Sequence, residues 1–235
     1  GVHIHLQEVR EEVTAVRNDL GLTPIQFCSQ EGLFDNPTIA AHCVWIDSED
    51  TRILADQSVS VAHNPIANMI LASGVCPVPE LRGMGVNVGI GIDGAGSNDS
   101  QDMLESIKMT PLLQRVKRLQ ATALSARDAF KMATIEGAKA LGVNKELGSL
   151  EVGKKADFVV LNGNSPVLAN IHDPFQAIVY CAGKREVREV WVEGEIVLKD
   201  GDVLNVSLGE VVERSRELAL KLVESAGLSK LSSLF

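Results

Sequence analysis

His5 and Glu8 stand three residues apart in His5-Leu6-Gln7-Glu8. His42 lies in Ala40-Ala41-His42-Cys43-Val44, and His63 and Asn64 lie in Ala62-His63-Asn64-Pro65. Asp93 lies in Gly91-Ile92-Asp93-Gly94-Ala95-Gly96-Ser97-Asn98. Imidazoles converging with a carboxylate suit Zn²⁺ or a similar divalent ion. Such an ion lowers the pKa of a bound water toward neutrality and makes a nucleophile of it. Taken singly, each residue has a plainer role. A strand-end histidine is often a hydrogen-bonded structural residue. An aspartate before glycine forms turns or caps helices. Glu8 could do no more than favour a helix dipole. The joint placement argues for chemistry, because His5, His42, His63 and Asp93 interrupt or close successive apolar runs toward the C-terminal ends of the strands they imply.

Those runs cover residues 1–6, 39–46, 59–63 and 86–93, and helix-like stretches separate them. Val13, Val16 and Leu20 recur at helical spacing within 9–20, and 48–55 reads as a short helix. The stretch 100–119 is long, and Pro111 is expected to kink or split it. Ser125 with Asp128 marks a capping box opening one helix over 125–141, ahead of Gly142. Strands alternating with helices predict parallel α/β units. Their near-continuous apolarity fits burial on both faces. In parallel α/β barrels the C-terminal strand ends carry the active site, and the polar residues stand at that end here.

The texture changes after residue 148. Strands are expected at 157–161, 177–180, 187–192 and 196–198, punctuated by Gly153, Gly163, Pro166, Gly194 and Gly201. An amphipathic helix follows at about 208–226, and the tail 227–235 is expected to be loosely held. The predicted division is a second half-barrel over 1–147, a β-sandwich segment over 148–206, and a C-terminal helix and tail over 207–235.

Composition excludes several classes. The 235 residues are 45% hydrophobic, 23% charged and 4% aromatic, with formal net charge -9. The apolar fraction is too high for a disordered chain. Acids outnumber bases 31 to 22 with no basic run, and aromatics for stacking are few, so no nucleic-acid partner is expected. No run approaches the roughly 18 apolar residues of a membrane span, so no membrane partner is expected. Cys28, Cys43, Cys76 and Cys181 form no CxxC, which reads as reduced thiols in a cytoplasmic protein. The glycines around Asp93 lack the order of a dinucleotide fingerprint. The chain begins with Gly1 inside what reads as a strand, and is expected to be the back end of something longer.

With these motifs in order, the chain resembles the C-terminal half of a metal-dependent amidohydrolase, in the branch of nucleobase and triazine aminohydrolases and chlorohydrolases. Glu136-Gly137-Ala138-Lys139-Ala140-Leu141-Gly142 and Gly148-Ser149-Leu150-Glu151-Val152-Gly153-Lys154-Lys155-Ala156-Asp157 extend the resemblance over nearly the whole chain. It implies an α/β fold: strands 5–8 of a distorted (β/α)8 TIM barrel, with the C-terminal part of a small β-sandwich. His3-Ile4-His5 imitates the family's first-strand H-x-H. However, Asp93 lies 88 positions beyond His5. A barrel of about 250 residues cannot fit eight βα units into that interval, whereas four units fit. His5 therefore falls on strand five. His3 shares its strand face by the period of two, but its spacing does not match the family ligand.

The resemblance implies the following roles. His5 and Asp93 are metal ligands for a single divalent ion, Zn²⁺ ahead of Fe²⁺. Glu8 is catalytic and substrate-binding, shuttling a proton to a ring nitrogen. His42 is catalytic, orienting the water or stabilising the tetrahedral intermediate, and Asp93 also accepts the water's proton and then helps the amine leave. Ser97 touches substrate, while His63 supports its loop. The implied reaction is hydrolytic deamination of an amino-substituted purine-, pterin- or triazine-like heterocycle. Dechlorination and cyclic-amide hydrolysis on the same scaffold are the alternatives, and a non-catalytic half-barrel or assembly subunit is the alternative of another class. Ala67 replaces the serine of the family's His-Asn-Pro-x-Ser-Asn loop. The first-strand ligands are absent, so the site is expected to be incomplete without an N-terminal half that supplies them. A small heterocyclic substrate and homo-oligomer assembly complete the expected partners.

Overall fold

The computed structural model describes residues 1–170 and 172–228. The expectation for the tail beyond residue 228 lies outside the described residues. Contacts divide the chain into two units. One comprises Gly1–Lys155 and Asn162–Glu186; the other comprises Ala156–Leu161 and the chain from Val187 on.

The first unit is built on four parallel strands in sequential order: β1 (Val2–Leu6), β2 (Thr38–His42), β3 (Ser60–His63) and β4 (Val88–Ile90). Helices α1 (Arg10–Leu20) and α2 (Pro24–Gln30) connect β1 to β2. Helix α3 (Ser48–Asp56) precedes β3, and α4 (Pro65–Ile70) and α5 (Val78–Gly83) follow it. The helix starts are strongly marked. Thr23 and Gln26 form a reciprocal capping box on α2, and Asp47 and Asp50 form another on α3. Ile25, Leu54, Val61, Leu81 and Val88 are fully buried in one core. At roughly 1.5–3 kcal/mol per buried aliphatic side chain, this core holds the strand ends in register.

Three sequence expectations are corrected here. The long helix α6 (Met103–Arg118) runs through Pro111 without splitting. Ile107, Thr110, Pro111 and Gln114 are buried along it, and Gln114 Nε2 donates to the Cys76 carbonyl at 2.9 Å. Tertiary packing on that face outweighs the one backbone hydrogen bond a proline removes. The single helix expected over 125–141 is two, α7 (Ala126–Met132) and α8 (Ile135–Ala140). Thr134 leaves helical geometry at φ −124°, ψ −100°, and its hydroxyl bonds back to the Phe130 carbonyl at 2.8 Å. The break lets α8 lie on β4: a Cβ on Gly89 would stand 3.2 Å from Gly137 Cα. The strand expected at 177–180 is helical instead. Asp173 caps α9 (Pro174–Gln176), which runs into a π-turn over Ala177–Cys181. Val179, fully buried with Ile107 and Ala129, supplies the apolar periodicity that imitated a strand.

In the second unit, β5 (Phe158–Leu161), β6 (Val187–Val192), β7 (Glu195–Lys199) and β8 (Asp202–Val203) form an antiparallel sheet in that order. Glu193-Gly194 and Asp200-Gly201 turn the hairpins with both residues at positive φ, as two-residue hairpin loops demand. Phe158 stacks on Trp191 at 5.5 Å. Helix α10 (Leu208–Ser225) is capped by the Ser207 hydroxyl. Among the described residues no helix is long and apolar enough to cross a membrane.

Candidate active site

His5 is the penultimate residue of β1, and the backbone turns sharply just after it. Gln7 adopts φ 52° with its side chain wholly buried. The Gln7 amide nitrogen donates to the Trp45 carbonyl (2.7 Å) and to Asp50 Oδ2 (2.9 Å), while its oxygen accepts from the Ile25 N–H (3.0 Å). Glu12, in the first turn of α1, accepts the N–H groups of Gln7 (2.9 Å) and Glu8 (3.1 Å). The loop carrying Glu8 is thereby pinned on both sides. The Glu8 carboxylate is held in turn: Ser73 Oγ donates to its Oε1 at 2.9 Å.

His42 ends β2 and is fully buried. Its φ of +71° and that of Cys43, +46°, break the strand conformation. Asn68 Oδ1 lies 2.8 Å from His42 Nδ1. The ring's Nε2 is buried without a hydrogen-bond partner. It faces two carboxylates, Glu8 Oε2 at 3.7 Å and Asp93 Oδ2 at 3.8 Å.

Asp93 sits three residues beyond β4 at φ +60°. Gly94 N–H donates to its Oδ1 (2.8 Å) and Ser97 Oγ to its Oδ2 (2.9 Å). Burial pushes the carboxyl pKa up, but these two hydrogen bonds and the nearby His42 and His5 outweigh it and hold it below the usual aspartate value. Asn98 is buried and ties the loop by donating to the Ile92 carbonyl at 2.7 Å. A Cβ on Gly91 would lie 2.2 Å from Asn64 Oδ1, so a larger residue there would displace the Asn64 side chain.

The structure brings together His5 near the end of β1 and Glu8 just after it, His42 at the end of β2, and Asp93 and Ser97 after β4. Ligating atoms of His5, His42 and Asp93 all lie within 4.8 Å of one another. Two imidazoles and a carboxylate at that spacing fit a divalent cation, and the orphaned His42 Nε2 facing two carboxylates is the mark of a site built for positive charge or a proton. His3 is outside this cluster. His63 is fully buried, and neither ring nitrogen has a protein partner. Burial first, and the neighbouring His42 second, lower its pKa to about 3. Ser97 has its hydroxyl engaged with Asp93, an arrangement that holds the carboxylate.

Sequence reasoning missed Asn68, Ser73, Glu12 and Gln7. Asn68 is the last residue of the His-Asn-Pro-x-Ser-Asn loop, and that motif was the available signal for it. Nothing local marks Ser73, because its partner lies 65 positions away.

Comparison with known proteins agrees with this geometry. The model of the amidohydrolase family matches residues 1–197. A 5'-deoxyadenosine deaminase from Methanopyrus kandleri is 42% identical over 224 residues, covering 95% of this chain and 52% of that protein. A 5-methylthioadenosine/S-adenosylhomocysteine deaminase from Desulforudis audaxviator is 42% identical over 225 residues, covering 96% and 52%. The chain thus spans about half the length of the curated relatives it matches. Among solved structures, an adenosine deaminase from Xanthomonas campestris with bound zinc superposes with a TM-score of 0.88 at 32% identity, over 92% of this chain and 49% of that one. An atrazine chlorohydrolase from Arthrobacter aurescens TC1, complexed with zinc, gives a TM-score of 0.84 at 25% identity, over 92% and 48%. The chain belongs to the amidohydrolase family.

Proposed function

We propose that this chain forms the metal-binding, proton-transferring half of a deaminase acting on an amino-substituted N-heterocycle, of the adenine-nucleoside kind named for its relatives. The observation that carries the reading is the convergence of His5, His42 and Asp93 within 4.8 Å, beside the free Oε2 of Glu8. His5 and Asp93 would hold a single divalent ion, with zinc favoured by the zinc-bearing neighbours. When bound, such an ion supplies Lewis acidity and brings a water close to deprotonation at neutral pH.

The chain's own residues divide the remaining work. Asp93 would take one water proton as the water oxygen bonds to the ring carbon and would then return it to the amine; the C–N bond breaks to release ammonia, and the second water proton ends on the ring nitrogen by way of Glu8. Glu8 exchanges a proton with the adjacent ring nitrogen and fixes the heterocycle's edge. His42 Nε2 accepts a hydrogen bond from the attacking water and orients it. Two carboxylates in different settings, one tied by Gly94 and Ser97 and one tied by Ser73, suit opposite proton duties. Ser97 would act on substrate through Asp93.

The same reading makes β1–β4 strands five to eight of a (β/α)8 barrel and β5–β8 part of a β-sandwich. The division would fall at 1–147, 148–206 and 207–235. The remaining ligands would come from a preceding half, in a homo-oligomeric cytoplasmic enzyme; all four cysteines are unpaired. Dechlorination is the second reading, favoured by the chlorohydrolase neighbour. The test is metal content by plasma mass spectrometry on this chain and on an N-terminally extended form, followed by assay. Ammonia released from 5'-deoxyadenosine or methylthioadenosine by the extended, metal-loaded form supports deamination, whereas chloride released from atrazine supports the second reading. A metal-free, inactive protein in both forms leaves a scaffold without chemistry and overturns the proposal.

A further inference from the structure

We propose that Asn68 is a positioning residue that locks His42 in the tautomer protonated on Nδ1, so that Nε2 presents a lone pair to the reacting water. The proposal rests on the reading that His42 Nε2 serves the reaction. Asn68 is 1% exposed, and its Oδ1 stands 2.8 Å from Nδ1 of a ring that is itself fully buried. An amide oxygen only accepts, so the facing ring nitrogen must donate, and a neutral imidazole has one donor. The other tautomer would aim an N–H at Glu8 Oε2 and Asp93 Oδ2, at 3.7 and 3.8 Å, and tie both carboxylates to the ring.

Two observations separate this from a role in packing. The Asn68 amide nitrogen is buried without a protein partner, a cost that a leucine of similar size would avoid. Asn68 is also part of a strap shaped around the site. Its carbonyl accepts the Ser73 N–H at 2.9 Å, the Ser73 hydroxyl holds Glu8, and the Ser73 carbonyl accepts Trp45 Nε1 at 2.8 Å. The C-terminal half of α4 and the turn after it thus set the atoms of two reacting groups that come from β2 and from the loop after β1.

The test uses ¹⁵N NMR of the imidazole nitrogens on the whole chain, stripped with chelator, at a pH where the ring is neutral. His42 is assigned by the signal lost in His42→Gln. The wild type is expected to show Nδ1–H with a bare Nε2. Asn68→Asp, which keeps an acceptor, should preserve that pattern, and Asn68→Leu should lose it. A wild-type His42 protonated on Nε2, or an unchanged Nδ1–H signal in Asn68→Leu, overturns the proposal. Should Asn68→Leu fail to fold, loss of the Nδ1–H pattern in Asn68→Asp overturns it equally. In the extended enzyme, Asn68→Leu should lower kcat by roughly tenfold or more with little change in KM, and Asn68→Asp should recover part of that rate. Absence of turnover in every form would remove the functional reading and leave the tautomer result standing.

Discussion

His5 and His42 meet edge to face, with ring centroids 4.6 Å apart and planes inclined at 72°, although the sheet register pairs His5 with Ala41 and not with His42. In a regular strand His42 would point to the face opposite Ala41 and therefore away from His5. The positive φ at His42 and Cys43 interrupts that alternation and swings the ring onto its neighbour. Left-handed backbone at consecutive non-glycine residues costs of order 1–3 kcal/mol each. The surrounding structure holds it there, since Cys43 N–H donates to the Leu6 carbonyl at 3.0 Å.

Asp93→Asn keeps the shape and one acceptor oxygen, so the Gly94 N–H bond can persist while the Ser97 hydroxyl must turn to accept, and it removes the negative charge beside His5 and His42. In the N-terminally extended form, metal affinity is expected to fall by roughly tenfold or more, and turnover with it. Metal content by plasma mass spectrometry after dialysis, together with ammonia release, checks this. Normal metal and normal rate in the variant would remove Asp93 from the site.

Ser73→Ala frees Glu8 Oε1 while leaving the backbone links of residue 73 in place. Metal should stay bound, because Ser73 touches no ligand. The expected loss is in kcat, roughly tenfold on the scale of groups that orient other groups, with Ser73→Thr restoring most of it. Loss of metal in Ser73→Ala would show that Glu8 is a ligand instead of a proton carrier.

The legible part of this molecule was whatever a local pattern carries. Four apolar runs, each interrupted or closed by a polar residue, predicted β1–β4, and the motif positions of His5, Glu8, His42 and Asp93 put them in one site. The lost part was set by tertiary contacts. Pro111 does not split α6, because a buried face spans it. Val179 mimics a strand because its core partners come from α6 and α7. The residues that hold the site lie beyond any window of periodicity: Asn68 is 26 positions from His42, and Asp50 is 43 from Gln7.

Gln7→Leu tests how firmly the Glu8 loop is pinned. The substitution removes one of three donors to buried Asp50, which keeps Thr23 Oγ1 and the Asp47 N–H, and it takes the amide away from the Trp45 carbonyl and the Ile25 N–H. A buried acceptor or donor left unpaired costs about 1–3 kcal/mol, more for a charged group. The variant should therefore lose roughly 2–4 kcal/mol in urea unfolding monitored by circular dichroism. A loss below about 0.5 kcal/mol, the range of ordinary surface substitutions, would contradict the network.

Thiol reactivity should follow burial. Burial first, then the charges of Asp50 and Glu12, pushes the Cys43 thiol far up; burial, then Cys43, does the same for Cys76. Cys28 is raised as well, by partial burial and then by Glu12. Cys181 is exposed. With a disulfide reagent at neutral pH, Cys181 should react fast and Cys28 slowly, while Cys43 and Cys76 wait for unfolding. The fast phase should vanish in Cys181→Ser, and its survival there would misplace the exposed thiol.

His63 gives the stability of the first unit a defined acid limb. In the folded chain its pKa is lowered to about 3, from an ordinary value of 6.5. Between those values the unfolded chain binds a proton that the folded chain does not, so stability rises with pH and falls on acidification. From about pH 7 to about pH 5 the loss integrates to roughly 2 kcal/mol for this one group. The group is fully buried, so solvent screening does not discount it. His63→Gln removes the titration while keeping a polar side chain. Urea midpoints measured at both pH values should drop more for the wild type than for the variant, by an amount equivalent to that difference. Parallel drops in the two proteins would mean that His63 is protonated, or open to water, in the folded state, and the buried neutral imidazole beside His42 would have to be given up.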